Sequence, residues 1–157
     1  MKLLLSAFIF TLLFSFPLLA ESRSGALKRA EREIRNGNFA LAENAYRQLL
    51  NKNPDDKDAR NGLSLALLKQ YKLQECFEEA AQVVATDPLN GRAFSLMGTA
   101  LLKSGEFRSS FESLKTAAQL NNKDPMAVAG LAEIEFFEHR TNNAYDLMNR
   151  AIELDSR

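Results

Sequence analysis

A repeat of 34 residues is the feature that most limits how this chain of 157 residues can fold. Cutting the chain at that spacing gives four consecutive units without gaps: 23–56, 57–90, 91–124 and 125–157. The residues that recur are Gly37, Tyr71 and Gly105; Phe39, Leu73 and Phe107; Leu63, Met97 and Leu131; and Ala59, Ala93 and Ala127. Such a period is typical of proteins in which each unit packs on its neighbours.

Each unit contains two segments with helical periodicity. In the third unit, GRAFSLMGTALLKS places apolar residues at helical spacing and is followed by Gly105, which suits the backbone just after a helix. A second segment runs from about Phe107 to Asn121. Pro54 and Pro88 end the first two units, because proline cannot continue a helix. The sequence therefore predicts an all-α chain of helical hairpins.

The period, the helical pairs and the residues at fixed unit positions resemble the tetratricopeptide repeat. The third unit carries the family pattern at Phe94, Met97, Gly98, Leu101, Ser110, Leu114 and Ala117. The resemblance covers residues 23–157 and implies a right-handed α-solenoid of four units. It also implies that the first helix of each unit lines a concave groove.

The departures from the family pattern lie mainly in the terminal units. Arg29 and Glu33 replace core residues in the first unit, where one face meets water and polar side chains cost little. In the last helix, NNAYDLMNRAIEL, either Leu147 or Ile152 would be exposed unless something covers it. Dimerisation, a partner or a continuation of the chain could each provide that cover.

The first twenty residues, MKLLLSAFIFTLLFSFPLLA, contain one charged residue, Lys2, followed by a mainly apolar, uncharged run from Leu3 to Ala20. A short basic start, an apolar stretch and small residues are typical of a secretory signal peptide, which we assign to residues 1–22. Cleavage after Ser22 is expected, with Ala20 as the second candidate and an uncleaved anchor as the alternative. We therefore expect a protein exported to the periplasm or another extracytoplasmic space.

Composition and the few reactive residues argue against nucleic-acid binding, catalysis and metal binding. Lys plus Arg and Asp plus Glu number 20 each, so no basic excess points to nucleic acid. Cys76 is the only cysteine, which excludes an intrachain disulfide and favours a small buried apolar residue. His139 is the only histidine and has no partners at catalytic or metal-ligand spacing. We expect no enzyme activity, no cofactor, no metal and no small-molecule substrate.

The resemblance implies which residues face the groove: unit positions 2, 5, 9, 12 and 13. Position 12 is predicted to form an apolar ladder of Ile34, Leu68, Leu102 and Phe136. Position 13 holds Arg35, Lys69, Lys103 and Phe137, so that a basic ladder runs beside it over three units. The remaining predicted groove residues are Asn61, Leu65, Arg92, Ser95, Thr99, Met126 and Glu133.

These ladders predict a partner protein that contributes an extended or helical segment with apolar anchors and some negative charge. One alternative remains open: position 12 only packs neighbouring first helices together, while the cations are ordinary surface. The carboxylate clamp of the family's co-chaperones is not matched, because Leu27, Glu31 and Gly62 stand at its positions and only Arg92 fits.

The leading hypothesis for function is a non-catalytic adaptor or scaffold in the cell envelope. By family analogy such proteins take part in pilus assembly, secretion or outer-membrane assembly. Two other hypotheses are kept. The chain could be a structural scaffold that self-associates through its last helix, or it could be the N-terminal interaction segment of a longer enzyme or receptor.

Overall fold

The computed structural model of this chain describes residues 22–156, and these form eight α-helices and no strand. In chain order they are α1 (Arg23–Arg35), α2 (Phe39–Lys52), α3 (Lys57–Lys69), α4 (Leu73–Thr86), α5 (Gly91–Lys103), α6 (Phe107–Leu120), α7 (Pro125–Phe137) and α8 (Thr141–Asp155). The all-α prediction is confirmed. The predicted signal peptide lies, apart from Ser22, outside the described residues.

The helices form four pairs, each with a first helix (α1, α3, α5, α7) and a second helix (α2, α4, α6, α8). First helices start 34 residues apart, and so do second helices. Each first helix begins at a residue whose side-chain oxygen accepts a hydrogen bond from a backbone N–H in the first turn. These N-cap residues are Ser22, Asp56, Asn90 and Asp124.

The turn inside each pair contains one residue in the left-handed conformation. Two of these residues are Gly37 and Gly105, with φ of 78° and 84°. The other two are Tyr71 and His139, with φ of 60° and 61°. Glycine adopts this conformation without steric penalty, whereas a residue with a Cβ atom is strained in it. His139 thus has a structural place at the end of α7.

Contacts between pairs place the first helices on the inner side of the array. Each first helix contacts the first helix of the next pair: α1 with α3, α3 with α5, and α5 with α7. Among residues 22–156, no such contact joins the second helices of consecutive pairs. Helices that approach on one side and separate on the other make a curved array, whose concave side carries the first helices.

The core follows the repeat closely. Ala59, Ala93 and Ala127, which occupy one unit position, have no exposed surface. Cys76 is equally buried, and this burial raises the pKa of its thiol to about 12. The interpretation of Cys76 as a packing residue is confirmed. No helix within residues 22–156 is long and apolar enough to span a bilayer.

Candidate functional site

A row of cations lies where the first helices end. Arg35, Lys69 and Lys103 are the last residues of α1, α3 and α5, and all three are exposed. We call these three residues the basic row. Phe137 occupies the same position in α7 and is also exposed. The structure thus places the predicted position-13 residues at one edge of successive first helices, with their charges in solvent.

Exposed aromatic side chains lie beside the basic row. Tyr71, Phe107 and Phe137 form what we call the aromatic edge. The Lys103 Nζ atom lies 5.5 Å from the centroid of the Tyr71 ring, within range of a cation–π interaction. The ring centroids of Phe107 and Phe137 are 5.1 Å apart. Each contact joins a turn or helix start of one pair to the first helix of the next.

Sequence reasoning missed Tyr71 and Phe107 as surface residues. Tyr71 recurs with glycines at a turn position, where a large aromatic side chain is left-handed and 71% exposed. The replacement of a turn glycine by an aromatic residue could therefore have indicated that Tyr71 is exposed. Phe107 starts α6, and its exposure depends on the angle between neighbouring pairs, which the sequence pattern does not specify.

The predicted apolar ladder does not form a continuous exposed surface. Leu68 and Leu102 are only 4% and 5% exposed, and Ile34 is half-buried against the core. Phe136, at the same unit position, is 62% exposed. Position 12 is therefore buried or half-buried wherever a pair follows within the described residues, and exposed at the last pair. Leu68 and Leu102 are corrected to packing residues.

Asn61 and Ser95 are also corrected to structural residues. Both are buried, and each donates a hydrogen bond to the N-cap residue of the next first helix. Asn61 Nδ2 lies 3.2 Å from Asn90 Oδ1, and Ser95 Oγ lies 2.5 Å from Asp124 Oδ2. These hydrogen bonds hold consecutive pairs in register, and only Asn61 also reaches a cavity on the concave side.

Among the other predicted residues, Leu65 and Thr99 are half-buried on α3 and α5. The Thr99 hydroxyl donates to the Ser95 carbonyl oxygen at 2.7 Å, which occupies its donor within the helix. Arg92, at the start of α5, is exposed. These three residues contribute to the concave side without forming a cluster of polar groups.

Arg92 borders a cavity of about 260 Å³ at the N-terminal end of the concave side. The cavity is lined by Leu27, Glu31, Tyr46, Asp58, Asn61, Gly62 and Arg92. Burial raises the pKa of Tyr46 to about 12, so its hydroxyl stays protonated. The buried Oδ1 atom of Asn61 has no hydrogen-bond partner among residues 22–156. The carboxylates of Glu31 and Asp58 and the guanidinium of Arg92 surround the Tyr46 ring. Two negative groups would repel a terminal carboxylate, so this cavity does not resemble a carboxylate clamp.

Three predicted residues belong to a different surface. Met126, Glu133 and Phe136 line two neighbouring cavities between α7 and α8, together with residues of α8. The structure therefore divides the predicted site into an exposed basic row, a set of buried packing residues and an open groove at the last pair. Within residues 22–156, no group of three or more His, Cys, Asp or Glu side chains is placed to hold a metal ion.

A comparison with known proteins agrees with the array of helical pairs described above. The tetratricopeptide repeat family model matches residues 27–90. These residues belong to the tetratricopeptide repeat family, and the described chain has the fold of a tetratricopeptide repeat array. No curated protein sequence matches the chain.

Solved structures share the fold at low sequence identity. A thermophilic TPR protein from Thermus thermophilus has a TM-score of 0.76 at 17% identity, over 86% of this chain and 75% of that one. MamA residues 41-end from Desulfovibrio magneticus RS-1 gives 0.69 at 18% identity, over 87% and 77%. The second TPR domain of human RPAP3, in complex with the HSP70 peptide SGPTIEEVD, gives 0.63 at 21% identity, over 70% and 92%.

Proposed function

We propose that this protein is a non-catalytic adaptor that binds a segment of another protein along the concave side of its helical array. The basic row carries the proposal, because three cations at equivalent positions face solvent with their charges unburied. Arrays of this fold serve as interaction scaffolds, as the complex of the RPAP3 domain with its peptide illustrates. That peptide contains two glutamates and an aspartate, the kind of charge that a basic row attracts.

The aromatic edge supplies the apolar half of the proposed recognition. Tyr71, Phe107 and Phe137 replace the buried leucines of position 12 as anchoring surfaces, since all three are exposed and the Tyr71 ring lies beside Lys103. Aromatic and cationic side chains are enriched where interfaces derive most of their binding energy. The proposed partner segment therefore carries acidic residues next to aliphatic or aromatic ones.

The test compares capture of proteins from a cell-envelope fraction by three forms of the protein. Lys69→Glu combined with Lys103→Glu reverses two charges of the basic row, and we expect the captured partner to be lost. The matched control, Lys52→Glu with Lys123→Glu, makes the same charge change at exposed residues outside the first helices and should capture normally. Equal capture by all three forms would show that the basic row is not the binding surface.

The proposal includes export to the cell envelope. The supporting observation is the apolar N-terminal stretch behind Lys2. Ser22 bears on the cleavage point, because its Oγ accepts a hydrogen bond from the Gly25 N–H at 3.1 Å and caps α1. Cleavage after Ala20 would keep this cap, worth about 1 kcal/mol, whereas cleavage after Ser22 would remove it. Fractionation with intact-mass measurement of the mature chain tests both points.

A further inference from the structure

Three grooves of this chain already hold a helix. Contacts place α3 against both α1 and α2, α5 against both α3 and α4, and α7 against both α5 and α6. In each case the first helix of one pair lies in the groove between the two helices of the preceding pair. These three grooves therefore show which side chains a helix presents when it packs into such a groove.

The three filled grooves share a size rule. A large side chain on the second helix meets a glycine on the incoming helix: a Cβ atom on Gly62 would lie 2.3 Å from the Tyr46 ring. A Cβ atom on Gly130 would likewise lie 2.6 Å from Leu114. Where the second helix has a small residue, the incoming helix has a large one, and both are buried. The pairs are Tyr46 with Gly62, Ala80 with Leu96, and Leu114 with Gly130.

The fourth groove, between α7 and α8, is open among the described residues. It consists of two cavities, of about 380 and 440 Å³, that share Met148. Alanines line it, and large apolar side chains stand exposed along it. The alanines are Ala129, Ala132, Ala144 and Ala151, and the exposed residues are Phe136, Tyr145, Met148 and Ile152. An apolar surface of this kind marks a contact site.

Met148 occupies the position of Tyr46 and Leu114, one or more repeats later. Because Met148 is large, the size rule calls for glycine or alanine on a helix that fills this groove. Two acidic residues, Glu133 and Asp155, line the groove. Their negative charge favours cationic residues on the incoming helix.

The open groove differs from the filled ones in one respect. At each filled groove the preceding pair donates a hydrogen bond to the N-cap residue of the incoming helix: Arg23 to Asp56, Asn61 to Asn90, and Ser95 to Asp124. The corresponding positions of the last pair hold Pro125 and Ala129, whose side chains have no donor. At these two positions the last pair therefore offers no side-chain hydrogen bond to the N-cap residue of an incoming helix, and binding in this groove rests on apolar contacts.

We propose that the α7–α8 groove binds one amphipathic α-helix of a partner protein. This helix presents glycine or alanine to Met148, apolar residues to the alanines and cations to Glu133 and Asp155. A second copy of the chain suits the groove less well, since its own exposed stripe consists of large residues: Tyr145, Met148 and Ile152. The surface is separate from the basic row, so the proposal does not depend on the function proposed above.

The test uses a helical probe taken from the chain itself. A dye-labelled, lactam-stapled peptide with the sequence of residues 56–70 carries Gly62 at the critical position, and its Gly62→Leu version is the matched control. We expect the protein to bind the glycine peptide at least about tenfold more tightly in fluorescence anisotropy. In the Met148→Ala protein this preference should vanish or reverse, because the small Ala80 is matched with the large Leu96 at the equivalent positions of the second groove. Circular dichroism confirms that the variant folds.

Three outcomes would overturn the proposal. One is that neither peptide binds at concentrations on the order of 1 mM. Another is an unchanged preference in the Met148→Ala protein. The third is a dimer in sedimentation experiments that Met148→Asp dissociates, because a second copy would then occupy the groove. The Lys69→Glu, Lys103→Glu variant should bind the glycine peptide normally, so failure of the adaptor proposal leaves this one standing.

Discussion

The two ends of the array meet solvent in opposite ways. At the N-terminal end, α1 buries only Ala26 and Ala30 and exposes cations such as Lys28 and Arg32. At the C-terminal end, α8 likewise buries only Ala144 and Ala151, yet it exposes Tyr145, Met148 and Ile152. The first end thus presents charge to water, whereas the last end presents apolar side chains, as the helix-binding groove proposed above requires. The predictions below test this contrast and the packing rule behind it.

The largest expected effect comes from comparing matched positions in a filled and an open groove. Leu114 is fully buried, whereas Met148, 34 residues later, is 44% exposed. Leu114→Ala should lower the free energy of unfolding by about 3–5 kcal/mol through the cavity it creates. Met148→Ala should lower it by less than about 1 kcal/mol. Urea denaturation followed by circular dichroism measures both, and equal losses would mean that the last groove is filled in solution.

The size rule predicts that two damaging substitutions compensate each other. Gly62→Leu places a side chain where the Tyr46 ring lies and should cost about 3 kcal/mol, somewhat reduced by the gain in helix propensity. Tyr46→Ala should cost about 3–5 kcal/mol. The double variant reproduces the Ala80–Leu96 arrangement, so its loss should fall short of the sum by at least about 1 kcal/mol. Simple additivity of the two losses would contradict the rule.

A buried carboxylate, Glu43, makes the joint between the first two pairs sensitive to acid. Desolvation would raise the pKa of Glu43, but hydrogen bonds from Lys72, Gln70 and Arg47 lower it to about 2. The donor nitrogens lie 2.8, 2.9 and 3.0 Å from its oxygens. Since this pKa lies below the unfolded value of 4.5, the stabilisation is complete above that pH and is lost as the pH falls towards 2.

Glu43→Gln should therefore lower the free energy of unfolding by about 1–2 kcal/mol at pH 7, a figure reduced because Lys72 and Arg47 are partly exposed. The difference between the two proteins should shrink between pH 4.5 and pH 2. Comparing the proteins at each pH cancels the titration of all other groups. A difference that stays constant over this range would refute the assignment.

The smallest expected effect concerns the turns. His139 has a φ of 61°, so His139→Gly should raise the free energy of unfolding by about 0.5–1 kcal/mol by removing the steric penalty of the left-handed conformation. Gly105→Ala, at the equivalent turn of the third pair, is the matched control and should lower it by a similar amount. Thermal unfolding measures both, and a loss of stability in His139→Gly would assign the histidine a contact of its own.

Much of the fold follows from the repeat, and particular residues show why. Ala59, Ala93 and Ala127 recur because each occupies an equivalent, fully buried place in its unit, so the spacing along the sequence reports equivalent packing in the structure. The turn at Gly105 and the proline after Asp124 are local signals of the same kind. Helical class and periodicity were therefore predictable.

The candidate site was only partly predictable. The cations of the basic row were predicted to face the groove; the structure shows them exposed at the ends of first helices, and their role in binding stays a prediction. Leu68 and Leu102 were predicted to face the groove, but they are covered by the following pair. A resemblance assigns positions within one unit, whereas exposure depends on how closely the next unit approaches.

By itself, the sequence determined the helical hairpins, their spacing and the packing role of Cys76, because these depend on local preferences and on one repeated contact. Only the tertiary structure decided that Phe136 is exposed while Leu102, at the same unit position, is buried. The physical reason is the neighbour: α7 packs beside Leu102, and within residues 22–156 no helix covers the groove between α7 and α8. In a repeat array, whether a side chain at a given unit position is buried depends on whether a neighbouring unit packs against it.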